Sequence, residues 1–97
     1  MGCKKEYIEK LKEVAPHIKK HYQVKSLLLF GSLSRGDNTE ESDIDLLVDM
    51  PPKIFQLMSL HELLEEKLGV KVDLVRKHSR LSQFFLNEIN RDGIRIL

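Results

Sequence analysis

The chain has 97 residues, of which 41% are hydrophobic and 32% charged, and its formal net charge is +1. These values predict a single domain over residues 1–97 with one modest core, and they give no broad basic field for nucleic acid. The one cysteine, Cys3, excludes a disulfide or a multi-cysteine zinc site within the chain and favours a reducing cytoplasm. No apolar stretch reaches the roughly 18 residues of a membrane span, so we do not expect the chain to act at a membrane. Because the chain has no broad basic field, we also expect no direct nucleic-acid partner.

The first half of the chain contains one helical pattern and two apolar runs. Residues 4–20 carry apolar side chains at helical spacing and predict an amphipathic helix that faces the core. The run at 24–30, VKSLLLF, stops at Gly31 and predicts a mostly buried strand followed by a tight turn. A second strand is predicted at 44–48, where two prolines end the run soon afterwards.

The second half predicts two more helices and two more strands. An apolar stripe closed by Gly69 predicts a helix, and its core-facing residues are expected to be Ile54, Leu57, Met58, His61, Leu64 and Leu68. On this stripe His61 is interpreted as a packed core histidine. The alternating residues 70–75 predict a third strand, and a last helix with core-facing Phe84 and Phe85 precedes a short final strand. The pattern as a whole is that of one α/β unit.

Two aspartates lie at the start of the second predicted strand, Asp43 directly before residue 44 and Asp45 within the strand. Because side chains alternate along a strand, Asp43 and Asp45 share one face, while Ile44 and Leu46 point into the core. Two neighbouring carboxylates repel each other unless a cation lies between them, and a site made of oxygen ligands suits Mg²⁺.

The third predicted strand offers a further carboxylate. Val72 and Leu74 take one face of this strand, which leaves Asp73 on the other. If the second and third strands are neighbours, three aspartates converge and can hold two metal ions about 4 Å apart, the arrangement that clamps both oxygens of an in-line displacement at phosphorus. The three carboxylates therefore predict phosphoryl or nucleotidyl transfer.

The turn after the first strand adds a phosphate site to this prediction. Gly31 lets backbone amides approach a phosphate, and the hydroxyl of Ser32 can donate to the same oxygens. The stretch is neither a Walker loop nor a dinucleotide fingerprint, because GSLSRG lacks the lysine of the first and the middle glycine of the second.

Together these residues resemble the signature of the DNA polymerase beta-type nucleotidyltransferases, which is Gly-Ser, ten residues, then Asp-Ile-Asp. The Arg35-Gly36 pair and the stretch SDIDLLV narrow the resemblance to the minimal nucleotidyltransferases (MNT proteins), with MntA-like antitoxins among them. The resemblance implies the polymerase beta-like fold, with a mixed central sheet flanked by helices. It also implies roles for five residues: Gly31 and Ser32 bind the triphosphate, and Asp43, Asp45 and Asp73 are catalytic and bind two Mg²⁺ ions.

The same resemblance implies a reaction and a partner. In the MNT family AMP is moved from ATP to a tyrosine hydroxyl of a HEPN-domain RNase toxin, so we expect ATP as the substrate and such a toxin as the partner. Two alternatives stay open: an inactive module that neutralises a toxin by contact, and an aminoglycoside-type transferase that modifies a small molecule. The phosphate and metal motif specifies neither the nucleobase nor the acceptor, because pocket shape usually selects these.

Overall fold

The computed structural model describes residues 4–31 and 44–97 of the chain. These residues form three helices and four strands. In chain order the elements are α1 (Lys4–His21), β1 (Ser26–Phe30), β2 (Ile44–Asp49), α2 (Ile54–Leu68), β3 (Val72–Arg76), α3 (Gln83–Asp92) and β4 (Ile94–Arg95).

The four strands form one mixed sheet in the order β3-β2-β1-β4. Strand β1 is antiparallel to both of its neighbours, β2 and β4, whereas β2 and β3 are parallel. Parallel neighbours need a long crossover, and α2 supplies it. The predicted α/β class with a mixed sheet is therefore confirmed.

The main core lies between one face of the sheet and the helices α1 and α2. Alternate residues of β1 and β2 face these helices, as the strand period requires. The fully buried side chains include Leu11, Ile18, Leu27, Leu29, Leu46, Leu60 and Leu64. The predicted core face of α1 is confirmed, since Leu11, Ala15 and Ile18 are buried.

The predicted core stripe of α2 is wrong in part. Its buried residues are Leu60, Leu64 and Leu68, spaced four apart, whereas Ile54 and Met58 are 62% and 58% exposed. The prediction merged two adjacent rows of the helix surface, because apolar residues occupy both. Leu57 is partly buried against the same core, as predicted, whereas Ile54 and Met58 lie on the outer side of α2.

The helix α3 covers part of the opposite face of the sheet. Phe30 follows the core residue Leu29 in β1, so its side chain points to the opposite face of the sheet. There its ring contacts the ring of Phe85 edge to face, with the ring centroids 5.5 Å apart. Ser82 begins α3 by accepting a hydrogen bond from the backbone amide of Phe85. Phe84 is 72% exposed, so the prediction that it belongs to the core is wrong. No helix within the described ranges is both long and apolar enough to cross a membrane.

Candidate active site

The predicted site residues that the structure describes meet at one corner of the sheet. Gly31 directly follows β1, whose last residue, Phe30, pairs with Asp45 of β2. On its other side Asp45 is in register with Asp73 of β3. The prediction that the second and third strands are neighbours is thus confirmed, and three adjacent strands bring Gly31, Asp45 and Asp73 side by side.

Gly31 is required at this corner for two separate reasons. Its φ of +81° lies in the left-handed region, which other residues adopt only with strain. In addition, an ideal β-carbon at Gly31 would overlap Oδ2 of Asp45 and lie 3.0 Å from its Cγ. The left-handed backbone of Gly31 and the carboxylate of Asp45 are therefore packed against each other, and any side chain at position 31 would displace that carboxylate.

The two described aspartates lie on the sheet face opposite the main core. Asp45 is half-buried and Asp73 exposed, while the flanking Ile44 and Leu46 are buried. Neighbouring strands are about 4.8 Å apart, so two aspartates in register across them can offer oxygens to one cation. Carboxylate oxygens are ligands that Mg²⁺ prefers. The described residues therefore fit the metal that the sequence predicts.

Two of the five predicted site residues, Ser32 and Asp43, lie outside the described residues. Within ranges 4–31 and 44–97 no three His, Cys, Asp or Glu side chains are grouped so that they could hold a metal ion. The described part of the site thus contributes two carboxylates, Asp45 and Asp73. The roles of all five residues stay predictions.

A small cavity lies beside Gly31, between β1 and α3. Its volume is about 250 Å³, and aromatic rings form part of its wall through Phe30 and Phe85. Its acidic residues, Glu88 and Asp92, come from α3. The sequence indicates the two rings but not this cavity, because their placement depends on how α3 crosses the sheet.

At the outer edge of β3, two side chains of α2 bind the backbone of Val72. Nε2 of His61 lies 2.7 Å from the carbonyl oxygen of Val72, and the amide of Val72 donates to Oε2 of Glu65 at 3.0 Å. The side chains of His61 and Glu65 are 41% and 36% exposed. His61 is therefore not a packed core histidine as predicted: it binds the edge of the sheet, where backbone groups would otherwise need water.

A larger groove runs between α2 and β3 and reaches Asp73. Its volume is about 720 Å³, and it combines apolar residues of α2 with acidic residues. Its lining includes Phe55, Met58, Glu62, Glu65, Asp73 and Leu74. The sequence analysis did not predict this α2–β3 groove, because it assigned Met58 to the core. The high apolar content of the first turns of α2 is the sequence feature that could have indicated the groove.

The family of the chain follows from comparison with known proteins. Residues 9–97 match the family model described as "Polymerase beta, Nucleotidyltransferase". The chain therefore belongs to the polymerase beta nucleotidyltransferase family, and it is an enzyme of that class.

Two similar proteins define the narrower group. A protein of Methanocaldococcus jannaschii, named as a candidate protein adenylyltransferase, is 42% identical over 94 residues, which are 93% of this chain and 91% of the relative. A solved structure of a candidate minimal nucleotidyltransferase is 27% identical, with a TM-score of 0.81, and the match covers 96% of this chain and 95% of that one. The predicted resemblance to minimal nucleotidyltransferases is confirmed.

A third similarity concerns the fold alone. A solved structure of a tri-AMPylated HEPN toxin from Shewanella oneidensis in complex with an MNT antitoxin contains a chain that is 21% identical, with a TM-score of 0.67. The match covers 97% of this chain and 71% of that chain.

Proposed function

We propose that this chain is a Mg²⁺-dependent protein adenylyltransferase that moves AMP from ATP to a hydroxyl, in particular a tyrosine hydroxyl, of a partner protein. The observation that carries the proposal is the in-register pair Asp45 and Asp73 beside the left-handed turn at Gly31. A phosphate cradle next to two carboxylates on adjacent strands suits the binding of a metal-complexed triphosphate.

In the proposed mechanism each residue has a separate task. Gly31 and Ser32 bind the β- and γ-phosphates through backbone amides and the serine hydroxyl. Asp43, Asp45 and Asp73 would hold two Mg²⁺ ions, which would neutralise charge on the phosphates. Asp73, which is more exposed than Asp45, accepts the proton of the acceptor hydroxyl. The new bond joins the acceptor oxygen to the α-phosphorus, and the bond from that phosphorus to pyrophosphate breaks.

The proposed partner is a HEPN-domain toxin, with this chain as its antitoxin in the cytoplasm. Two similarities support this proposal: a relative is named for protein adenylyl transfer, and a chain of the same fold occurs with an AMPylated HEPN toxin. We further propose that residues 1–97 act as one catalytic domain, so the partner itself supplies the surface that aligns the acceptor hydroxyl.

A transfer assay tests this proposal. The chain, Mg²⁺ and α-labelled ATP, GTP, CTP or UTP are incubated with and without a HEPN-domain partner, and peptide mass spectrometry locates the label. We expect AMP on a tyrosine of the partner, and none with the Asp45→Asn variant. A partner that is bound and inhibited but never labelled would favour neutralisation by contact. Label on an added aminoglycoside alone would favour a small-molecule transferase.

A further inference from the structure

We propose that the α2–β3 groove receives the acceptor segment of the partner protein, and that it selects a segment with a basic and an apolar residue close to the modified hydroxyl. This inference rests on the proposed function. It adds the surface on which the partner's acceptor segment lies and the chemistry by which that segment is recognised.

The order of the strands fixes the side from which the acceptor arrives. In an in-line displacement the entering hydroxyl and the leaving pyrophosphate lie on opposite sides of the phosphorus. If the phosphates lie at Gly31, after β1, the hydroxyl must enter beyond Asp45, at Asp73 of β3. β3 is the outermost strand of the described sheet, so the acceptor reaches Asp73 from outside that edge. The groove lies along this path, because Asp73 is one of its lining residues.

The charge of the groove indicates a cationic ligand. Three of its described lining residues are acidic, Glu62, Glu65 and Asp73, and none of them is Lys or Arg; the one histidine of the lining, His61, lies 3.5 Å from Glu65. Glu65 already accepts a hydrogen bond from Val72, whereas Glu62 is exposed on the outer side of α2. An acidic wall repels phosphate groups and attracts Lys or Arg, so this groove disfavours both the triphosphate and a nucleic-acid acceptor.

The mouth of the groove is apolar. Phe55 is 82% exposed and Met58 is 58% exposed, one turn apart on α2. Neighbouring exposed apolar side chains indicate an interaction site, and aromatic residues contribute strongly to protein interfaces. Methionine adapts to differently shaped partners because its side chain is unbranched. These residues favour contact with an apolar side chain of the same segment.

The edge of β3 indicates that the ligand has a peptide backbone. Backbone groups alternate in direction along a strand, and those of Val72 point away from β2 toward α2. The backbone groups of Leu74 therefore also point outward, and Leu74 lines the groove. An extended segment can hydrogen-bond to Leu74 by strand addition, since the backbone groups of Val72 already bind His61 and Glu65. The acidic wall attracts a polycationic aminoglycoside as well as a basic peptide, so the apolar mouth and the strand edge are the two features that favour a polypeptide.

The test for charge selection uses random copolymers of lysine with tyrosine and of glutamate with tyrosine as acceptors, with Mg²⁺ and labelled ATP. We expect the wild-type protein to prefer the lysine copolymer. Glu62→Lys should lower kcat/KM for that copolymer about fivefold, mainly through KM, since one exposed charge pair contributes up to about 1 kcal/mol. The matched control is Glu66→Lys, the same charge reversal on an exposed residue of α2 outside the groove. It should leave KM unchanged.

The test for the apolar mouth uses the HEPN-domain partner. Phe55→Ala should weaken partner binding at least about fivefold, as for an interface aromatic worth more than 1 kcal/mol. The control is Phe84→Ala, which removes an exposed ring on α3. Calorimetry should give wild-type affinity for ATP with Mg²⁺ in the two glutamate variants and in the two phenylalanine variants. This result would separate acceptor binding from nucleotide binding.

The outcomes distinguish this inference from the proposed function. Normal AMP transfer by the wild-type protein, together with unchanged KM in Glu62→Lys and unchanged partner affinity in Phe55→Ala, overturns the groove assignment and leaves the proposed function standing. Binding of Mg²⁺ and ATP without transfer to the partner or to either copolymer overturns the proposed function, and the acceptor role of the groove with it.

Discussion

The proposed catalytic corner, formed by Gly31, Asp45 and Asp73, and the α2–β3 groove meet at Asp73 but are built in different ways. The corner depends on strand register and on a backbone turn, because Gly31 is packed against Asp45 and Asp45 is aligned with Asp73. The groove depends on side chains that project from the outer surface of one helix, among them Phe55 and Glu62. We therefore expect a substitution in the corner to change the chemistry and a substitution on the outer row of α2 to change only what the protein contacts.

The largest expected effect is that of Asp45→Asn in the corner. Loss of a carboxylate ligand should lower AMP transfer by about a thousandfold or more, since metal ions contribute several kcal/mol to such reactions. The comparison is Asp49→Asn, which neutralises a half-buried aspartate four residues further along β2. Steady-state transfer rates should separate the two variants, while circular dichroism shows both to be folded. Equal activity of the two would mean that Asp45 is not a metal ligand.

The next largest effect is on the free energy of unfolding, which should differ between substitutions in the buried row and in the exposed row of α2. Leu64→Ala, in the buried row, should lower the free energy of unfolding by about 2–5 kcal/mol. Met58→Ala, in the exposed row, should change it by less than about 0.5 kcal/mol. Urea denaturation followed by circular dichroism measures both. Comparable losses would show that Met58 is packed in the core, as its sequence pattern alone suggests.

A pair of glycines sharpens the description of the corner. Gly31 and Gly69 both have left-handed φ values, +81° and +73°, but only Gly31 has a carboxylate where a β-carbon would lie. Each Gly→Ala change should cost about 1 kcal/mol for the backbone conformation. Gly31→Ala should cost more than Gly69→Ala and should also lose affinity for Mg²⁺ with ATP, because Asp45 must move. Calorimetry that gives wild-type affinity for Gly31→Ala would contradict the packing described here.

The smallest expected effect is at the edge of the sheet. His61→Ala removes the partner of the Val72 carbonyl and should lower the free energy of unfolding by about 1 kcal/mol. Lys67→Ala, on the same helix, breaks an exposed ion pair with Glu13 and should cost about 0.5 kcal/mol or less. Thermal and urea unfolding of both variants would test this order, and a reversed order would contradict the role assigned to His61.

The sequence predicts the corner well and the outer surface of α2 poorly, for a physical reason. Side chains alternate between the two faces of a strand, so one apolar run is enough to predict that Asp45 lies on the other face from Ile44. The same reasoning places Asp73 on the other face from Val72. A helix has several rows, and two of them are apolar in α2, so only the packing of the domain decides that Leu60 is buried and Met58 is not. The contact between Gly31 and Asp45 was also missed, because it joins a turn and a strand through a register that local patterns do not encode.

The position of β4 has a consequence for how the catalytic corner forms in time. β1 is an interior strand because Leu27 exchanges hydrogen bonds with Ile96 and Leu97, next to β4. The strand that leads into Gly31 is therefore enclosed on both sides only after the last strand has left the ribosome. Until then β1 has an open edge to which another chain can add, so the nascent chain is exposed to aggregation at the element that leads into the proposed nucleotide site. Pairing between such distant segments is also a slow step in folding.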